Sequence, residues 1–200
     1  MPEPTFDELI EAMKTGAGVL QDAGIRFVLG GGLSAWARGG PKTEHDIDFL
    51  IRPEDADAAL EAFECAGMKV ERPAEGWLYK AWHDNGALID LIFNPAGGPI
   101  TDDLIENAPV LEVMALRIRV LSLEEVFATK LLAITEQEPQ FDAVLELARA
   151  LREQVDWDAV RERTAESPFA KAFFTLVEEL GVVPVSEEEV APRRPPVVGA

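Results

Sequence analysis

Along an extended strand alternate side chains share a face, so Asp46 and Asp48 of Asp46-Ile47-Asp48-Phe49-Leu50-Ile51 project together with Leu50. Ile47, Phe49 and Ile51 point the other way and suit a core. Two neighbouring carboxylates repel each other unless a cation sits between them, and a hard divalent ion with oxygen ligands fills that place. Mg²⁺ commonly takes one or two carboxylates and completes its shell with substrate phosphates. Asp-x-Asp alone equally describes a solvated strand face at a sheet edge. The reading changes with Gly30-Gly31-Gly32-Leu33-Ser34, whose last glycine lies fourteen residues before Asp46. Glycines between a strand and a helix let backbone N–H groups approach a phosphate, and Ser34 adds a hydroxyl donor in the first turn. The turn is neither a Walker A loop, having no Gly-Lys-Ser/Thr, nor a dinucleotide-binding fingerprint.

A third carboxylate lies in Ala87-Leu88-Ile89-Asp90-Leu91-Ile92-Phe93, where Asp90 is the only charge in an apolar run. Burying a lone carboxylate is costly unless it is paired or serves a functional surface. Placed beside the Asp46–Ile51 strand, Asp90 joins the first two acids. It then becomes the natural general base for an incoming hydroxyl, with a second ion bridging the site.

These residues need a scaffold, and the hydrophobic pattern supplies one. Helical spacing starts at Phe6 and ends near Gly24. Ile25–Leu29 reads as a strand running into the glycines, Leu33–Arg38 as a short helix, and Asp46–Ile51 as the next strand. Pro53 opens a helix carrying Ala56, Ala59, Leu60 and Phe63 on one face. A short strand is expected at Met68–Val70. Trp77–His83 and Ala87–Phe93 form a hairpin through Asp84-Asn85-Gly86. Residues 94–109 read as loop with one helical turn, and Val110–Val120 as one or two strands. From Ser122-Leu123-Glu124-Glu125, which fits a capping box, the pattern is helical: to about Ile134, then 141–153, 157–165 and 169–180. Residues 183–200 carry an acidic run and prolines and are expected to be disordered. The expected class is α+β: a small mixed sheet flanked by helices over 1–121, a helical bundle over 122–182, then the tail.

Composition narrows the partners. The chain has 200 residues with 18 Lys and Arg against 37 Asp and Glu, a net charge of −19. Nucleic-acid binders draw affinity from basic surfaces, so direct binding to RNA or DNA is disfavoured. The acidity leans towards a cationic small molecule or a protein as partner, or serves solubility alone. No apolar run spans a bilayer and the first residues lack a signal-peptide pattern, so a cytoplasmic location is expected. Cys65 is the only cysteine, read as a small packing residue. His45 reads as a polar residue at the start of its strand and His83 as exposed. Trp36, Trp77, Tyr79 and Trp82 read as core or sheet-face packing.

Taken together, Gly31-Gly32, Asp46-Ile47-Asp48 and Asp90 resemble the nucleotidyltransferase superfamily typified by DNA polymerase β. The stretch GGLSAWARGGPKTEHDIDFLI is similar to its bacterial stand-alone branch, which includes type IV toxin and aminoglycoside nucleotidyltransferases. Where that branch often carries Arg-x-Thr, this chain has Lys42 and Glu44, and a lysine meets phosphate as a point charge. Lys130, in RVLSLEEVFATKL, matches the lysine that reaches the triphosphate, and Asp142 matches an aspartate of the following helix without its usual basic neighbours. The resemblance implies transfer of a nucleoside monophosphate from an NTP to an acceptor hydroxyl with release of pyrophosphate. Asp46, Asp48 and Asp90 would be the metal-binding and catalytic residues, with Mg²⁺ or Mn²⁺. Gly31, Gly32, Ser34, Lys42 and Lys130 would be the nucleotide-binding residues. The alternative on the same fold is a non-catalytic nucleotide-binding or toxin–antitoxin interaction protein.

Overall fold

The computed structural model describes residues 4–43, 46–137, 139 and 141–184. Glu44, His45 and nearly all of the expected tail lie outside them. Helix α1 (Phe6–Asp22) starts at a capping box in which Thr5 accepts from the Glu8 amide and Glu8 reaches back to the Thr5 amide. It ends at Gly24, which takes a left-handed φ of 71°. Strand β1 (Phe27–Leu29) runs directly into α2 (Gly31–Trp36), which begins at the glycines rather than at the expected Leu33. Then come β2 (Asp46–Ile51), a 3-10 turn over Pro53–Asp55, α3 (Ala56–Cys65) and β3 (Lys69–Glu71). The hairpin of β4 (Leu78–Trp82) and β5 (Leu88–Ile92) closes through Asn85, whose side-chain oxygen accepts from the Ala87 amide. Its amide group donates to the Glu8 carbonyl at 2.9 Å and ties the turn to α1.

The residues after β5 form α4 (Asp102–Asn107), capped by Thr101, and the hairpin β6 (Val110–Val113) and β7 (Leu116–Arg119). This second hairpin turns on Met114 and Ala115, both left-handed at φ 49° and 68°. Neither is glycine or asparagine, so no turn residue marks it in the sequence. Helices α5 (Leu123–Ala133), α6 (Asp142–Leu151), α7 (Trp157–Arg163) and α8 (Pro168–Glu179) complete the described chain. Ser122 caps α5 through the Glu125 amide.

The five-stranded sheet has the order β1-β2-β5-β4-β3. Strands β2 and β5 are parallel, and the other neighbours are antiparallel. One face buries Ile47, Phe49, Ile51, Ile89 and Leu91 against α1 and α3. Gly16 of α1 allows this: a Cβ there would meet the Phe49 ring at 2.8 Å. A second apolar cluster joins Val28 and Leu50 of the sheet to Ala35 and to the helices from α5 onward, centred on Phe127, Trp157 and Phe173. The sheet is thus covered on one face by α1 and α3, while α5 approaches the other. On that other face lie Asp46 and Asp48.

Three side chains depart from expectation. Cys65 is exposed, because it closes α3 on the face away from Leu60 and Phe63. His83 is half-buried, its Nδ1 accepting from the Asn85 amide inside the hairpin turn. Trp77 stands exposed just before β4 rather than packing on the sheet. No helix among the described residues is long and apolar enough to cross a membrane.

Candidate active site

The parallel register of β2 and β5 sets Asp46 opposite Leu88 and Asp48 opposite Asp90. With side chains alternating, all three carboxylates emerge on one face, and one oxygen from each lies within 4.8 Å of the others. Asp90 is buried, and Asp46 and Asp48 are half-buried. Strand β4 places Lys80 across from Asp90, with its Nζ 3.2 Å from Asp90 Oδ1. Enclosure and like charge leave their mark on protonation. Burial, then the charges of Asp46 and Asp90, push the Asp48 carboxyl up to about 8, although Lys130 and Lys80 pull it down. Burial also raises Asp90, opposed by Lys80.

The glycine turn is built around the same acid. The Gly30 amide donates to the Asp48 carbonyl at 2.9 Å, stitching the start of α2 to β2. Gly31 adopts φ 51°, and a Cβ on it would lie inside the Asp48 carboxylate. Only glycine fits, both for the dihedral and for the approach. A Cβ on Gly32 would press on Thr43 Oγ1 at 2.6 Å. The Ser34 hydroxyl is fully buried and donates to the Gly31 carbonyl at 2.7 Å, so here it braces the turn.

Gly31, Asp48 and Lys130 line one small cavity of about 140 Å³ between the sheet and α5, with Leu50, Ile92 and Thr129 in its wall. A neighbouring cavity of about 440 Å³ shares Leu50, Pro95, Leu121 and Thr129 with it and extends to α4 and Arg163. Lys130 thus lines the same cavity as Asp48, with no ion pair between them. Lys42 is elsewhere engaged: it is exposed, with its ammonium 4.7 Å from the centre of the Phe6 ring. Asp142 is exposed at the start of α6.

Sequence reasoning missed Lys80 and Thr43. Lys80 was within reach, because counting outward from Asn85 in the hairpin pairs position 80 with 90. Thr43 carried no signal, since its role depends on the loop returning against Gly32.

An Asp-x-Asp strand beside a third acid, facing a glycine-led helix and a lysine on the helix after the sheet, defines the nucleotidyltransferase class of fold. The chain belongs to the family described as "Nucleotidyl transferase of unknown function (DUF2204)", which it matches over residues 8–172. It is a nucleotidyltransferase of that family. Among solved structures it is similar to ANT(2")-Ia in complex with adenylyl-2"-tobramycin, with 15% identity and a TM-score of 0.59. That match covers 82% of this chain and 98% of the other. An antigenic nucleotidyltransferase-like protein from Paracoccidioides brasiliensis matches with 13% identity and a TM-score of 0.51, covering 87% of this chain and 88% of the other. At these identities the likeness speaks for the fold. No curated protein matches the chain.

Proposed function

We propose that the protein transfers a nucleoside monophosphate from an NTP to an acceptor hydroxyl, releasing pyrophosphate, and that Asp46, Asp48 and Asp90 are its working acids. The observation that carries this reading is the meeting of three carboxylates, within 4.8 Å, with Gly31 and Lys130 around Asp48. The donor set fits a hard divalent ion: all three ligands are oxygens, and Asp48 is held well above its ordinary range by burial and then by the charges of Asp46 and Asp90. Asp46 and Asp48 would hold Mg²⁺ or Mn²⁺. When bound, the metal would supply charge neutralisation at the phosphates and polarisation of the α-phosphoryl group.

The chain's own residues do the rest. The Gly31 and Gly32 backbone, packed closely against Asp48 and Thr43, receives phosphate oxygens through its amides, and Lys130 offers its ammonium from across the cavity. Ser34 keeps the turn in shape through Gly31. Lys42 would leave the Phe6 ring to meet a phosphate. Asp90 takes the proton of the acceptor hydroxyl as that oxygen bonds to the α-phosphorus and the α–β bridging oxygen leaves with pyrophosphate. Catalysis of this kind rests on positioning and charge neutralisation. The adjoining cavity of about 440 Å³ gives room beside the triphosphate for the larger groups of the substrates. Its walls carry Asp103, Glu125 and Arg163, the last two paired at 2.5 Å; the remaining charge of Asp103, together with the net charge of −19, favours a small cationic acceptor over a nucleic acid.

The test is pyrophosphate release from each NTP with Mg²⁺ across a panel of hydroxyl-bearing amines, with Asp90→Asn alongside. Release that depends on one amine and one NTP, and that Asp90→Asn reduces at least a hundredfold, is expected. Nucleotide binding with no release for any acceptor, equally in both proteins, would favour the non-catalytic alternative.

A further inference from the structure

Lys80 is the one cation in direct contact with a member of the acid triad among the described residues, and nothing in the chemistry above uses it. Its ammonium lies 3.2 Å from Asp90 Oδ1, and the β4–β5 ladder fixes both residues in register. Lys80 is itself only 28% exposed at the side chain and Asp90 9%, so neither swings freely in solvent. A divalent ion on the same oxygen would stand about 2.1 Å from it, and so at most about 5.3 Å from the ammonium. Two cations that close, in a half-buried site, repel strongly. By contrast Asp46 makes no contact with a basic side chain among the described residues, and Asp48 is eased only through space by Lys130 and Lys80. Among the described residues the β2 acids therefore have no cation in contact, while the acid on β5 already has one.

We propose that Lys80 takes the place of a second metal ion at Asp90, so that the protein without nucleotide binds one divalent ion, at Asp46 and Asp48. This rests on the metal-dependent reading given above, and it replaces the expectation of a second ion bridging the site. Lys80 is then a positioning residue: it holds Asp90 by one oxygen and leaves the other for the proton of the acceptor hydroxyl. Any further metal arrives with the triphosphate and is ligated by phosphates.

The experiment is a titration of the full chain with Mn²⁺ in the absence of nucleotide, read by calorimetry and by electron paramagnetic resonance. Lys80→Met keeps the aliphatic stem on β4 and removes the charge; Lys80→Arg keeps the charge. One bound Mn²⁺ is expected for the wild type and for Lys80→Arg. Two are expected for Lys80→Met, with the broadened, exchange-coupled signal of a close metal pair. Far-UV circular dichroism of each variant establishes that it is folded. Two ions in the wild type would overturn the assignment of Lys80 while leaving the nucleotidyltransferase reading intact. One ion in folded Lys80→Met would also overturn it. No Mn²⁺ bound by the wild type at millimolar concentration would overturn the proposal, and Mn²⁺ bound only once NTP is added would leave the nucleotidyltransferase reading intact.

Discussion

Replacing Asp48 by asparagine should make the metal-free protein more stable. In the folded chain the Asp48 carboxyl is pushed from its ordinary 3.8 to about 8 by burial and by Asp46 and Asp90. The folded state therefore holds this proton more tightly than the unfolded chain does. Stability is lost as pH rises from about 4, where the unfolded group ionises, to about 8, where the folded one does. At about 1.4 kcal/mol per tenfold change in proton affinity, the full displacement corresponds to roughly 6 kcal/mol as a ceiling. Lys130 and Lys80 lie close enough to shift towards an ionised Asp48, and water reaches the half-buried group, so about 2–3 kcal/mol is the expected cost at pH 8. Asparagine has nearly the same shape and no charge to relieve. For a chain of this size that amount raises the melting temperature by about 5–10 °C. The assay is thermal unfolding of wild type and Asp48→Asn in a metal chelator from pH 5 to pH 8.5. The advantage of the variant should be small at pH 5 and grow to its full size near pH 8. A variant no more stable than wild type at pH 8, or an advantage independent of pH, would refute the reasoning.

Other perturbations have equally definite outcomes. Gly31→Ala must put a methyl group into the Asp48 carboxylate at φ 51°, so it should cost about 1–3 kcal/mol in denaturant unfolding and abolish Mn²⁺ binding while the far-UV spectrum is kept. Lys130→Ala would remove the proposed charge-assisted contact to the triphosphate, worth about 1.5–3 kcal/mol, so kcat/KM for the NTP should fall about 10–100-fold with little change in melting temperature. Phe127→Ala empties the centre of the second apolar cluster, where the ring packs tilted against Trp157 with centroids 4.8 Å apart, and should cost about 3–5 kcal/mol in urea unfolding.

What could be read in the sequence followed the periodicities of the backbone. The two-residue alternation around Asp46 and Asp48 correctly assigned Ile47, Phe49 and Ile51 to the core, and Asn85-Gly86 located the hairpin that carries Asp90. Element bounds near glycine were less legible: α2 begins at Gly31 because the close approach of the Asp48 carboxylate and the Gly30 amide's bond to the Asp48 carbonyl, not helix propensity, set the backbone there. The turn at Met114-Ala115 was illegible, since its left-handed dihedrals are imposed by the ladder between β6 and β7 on residues that do not prefer them. Long-range partners were the hardest. Whether Lys42 reaches the acids or rests on Phe6 depends on where α1 returns across the sheet, and no local pattern encodes that. Ser34 illustrates the same point at short range, its hydroxyl taken up by the Gly31 carbonyl one turn earlier.

The central proposal is that these carboxylates bind a metal–nucleotide complex. The most direct measurement is the melting temperature with each NTP, with and without Mg²⁺, for wild type and for Asp46→Asn/Asp48→Asn. Ligand that binds only the native state raises that temperature, by about 2.7 kcal/mol of added stability at a hundred times its dissociation constant. The prediction is a Mg²⁺-dependent rise for at least one NTP in the wild type and none in the double variant. No rise with any NTP at concentrations well above the millimolar range, or the same rise in the double variant, would contradict the account.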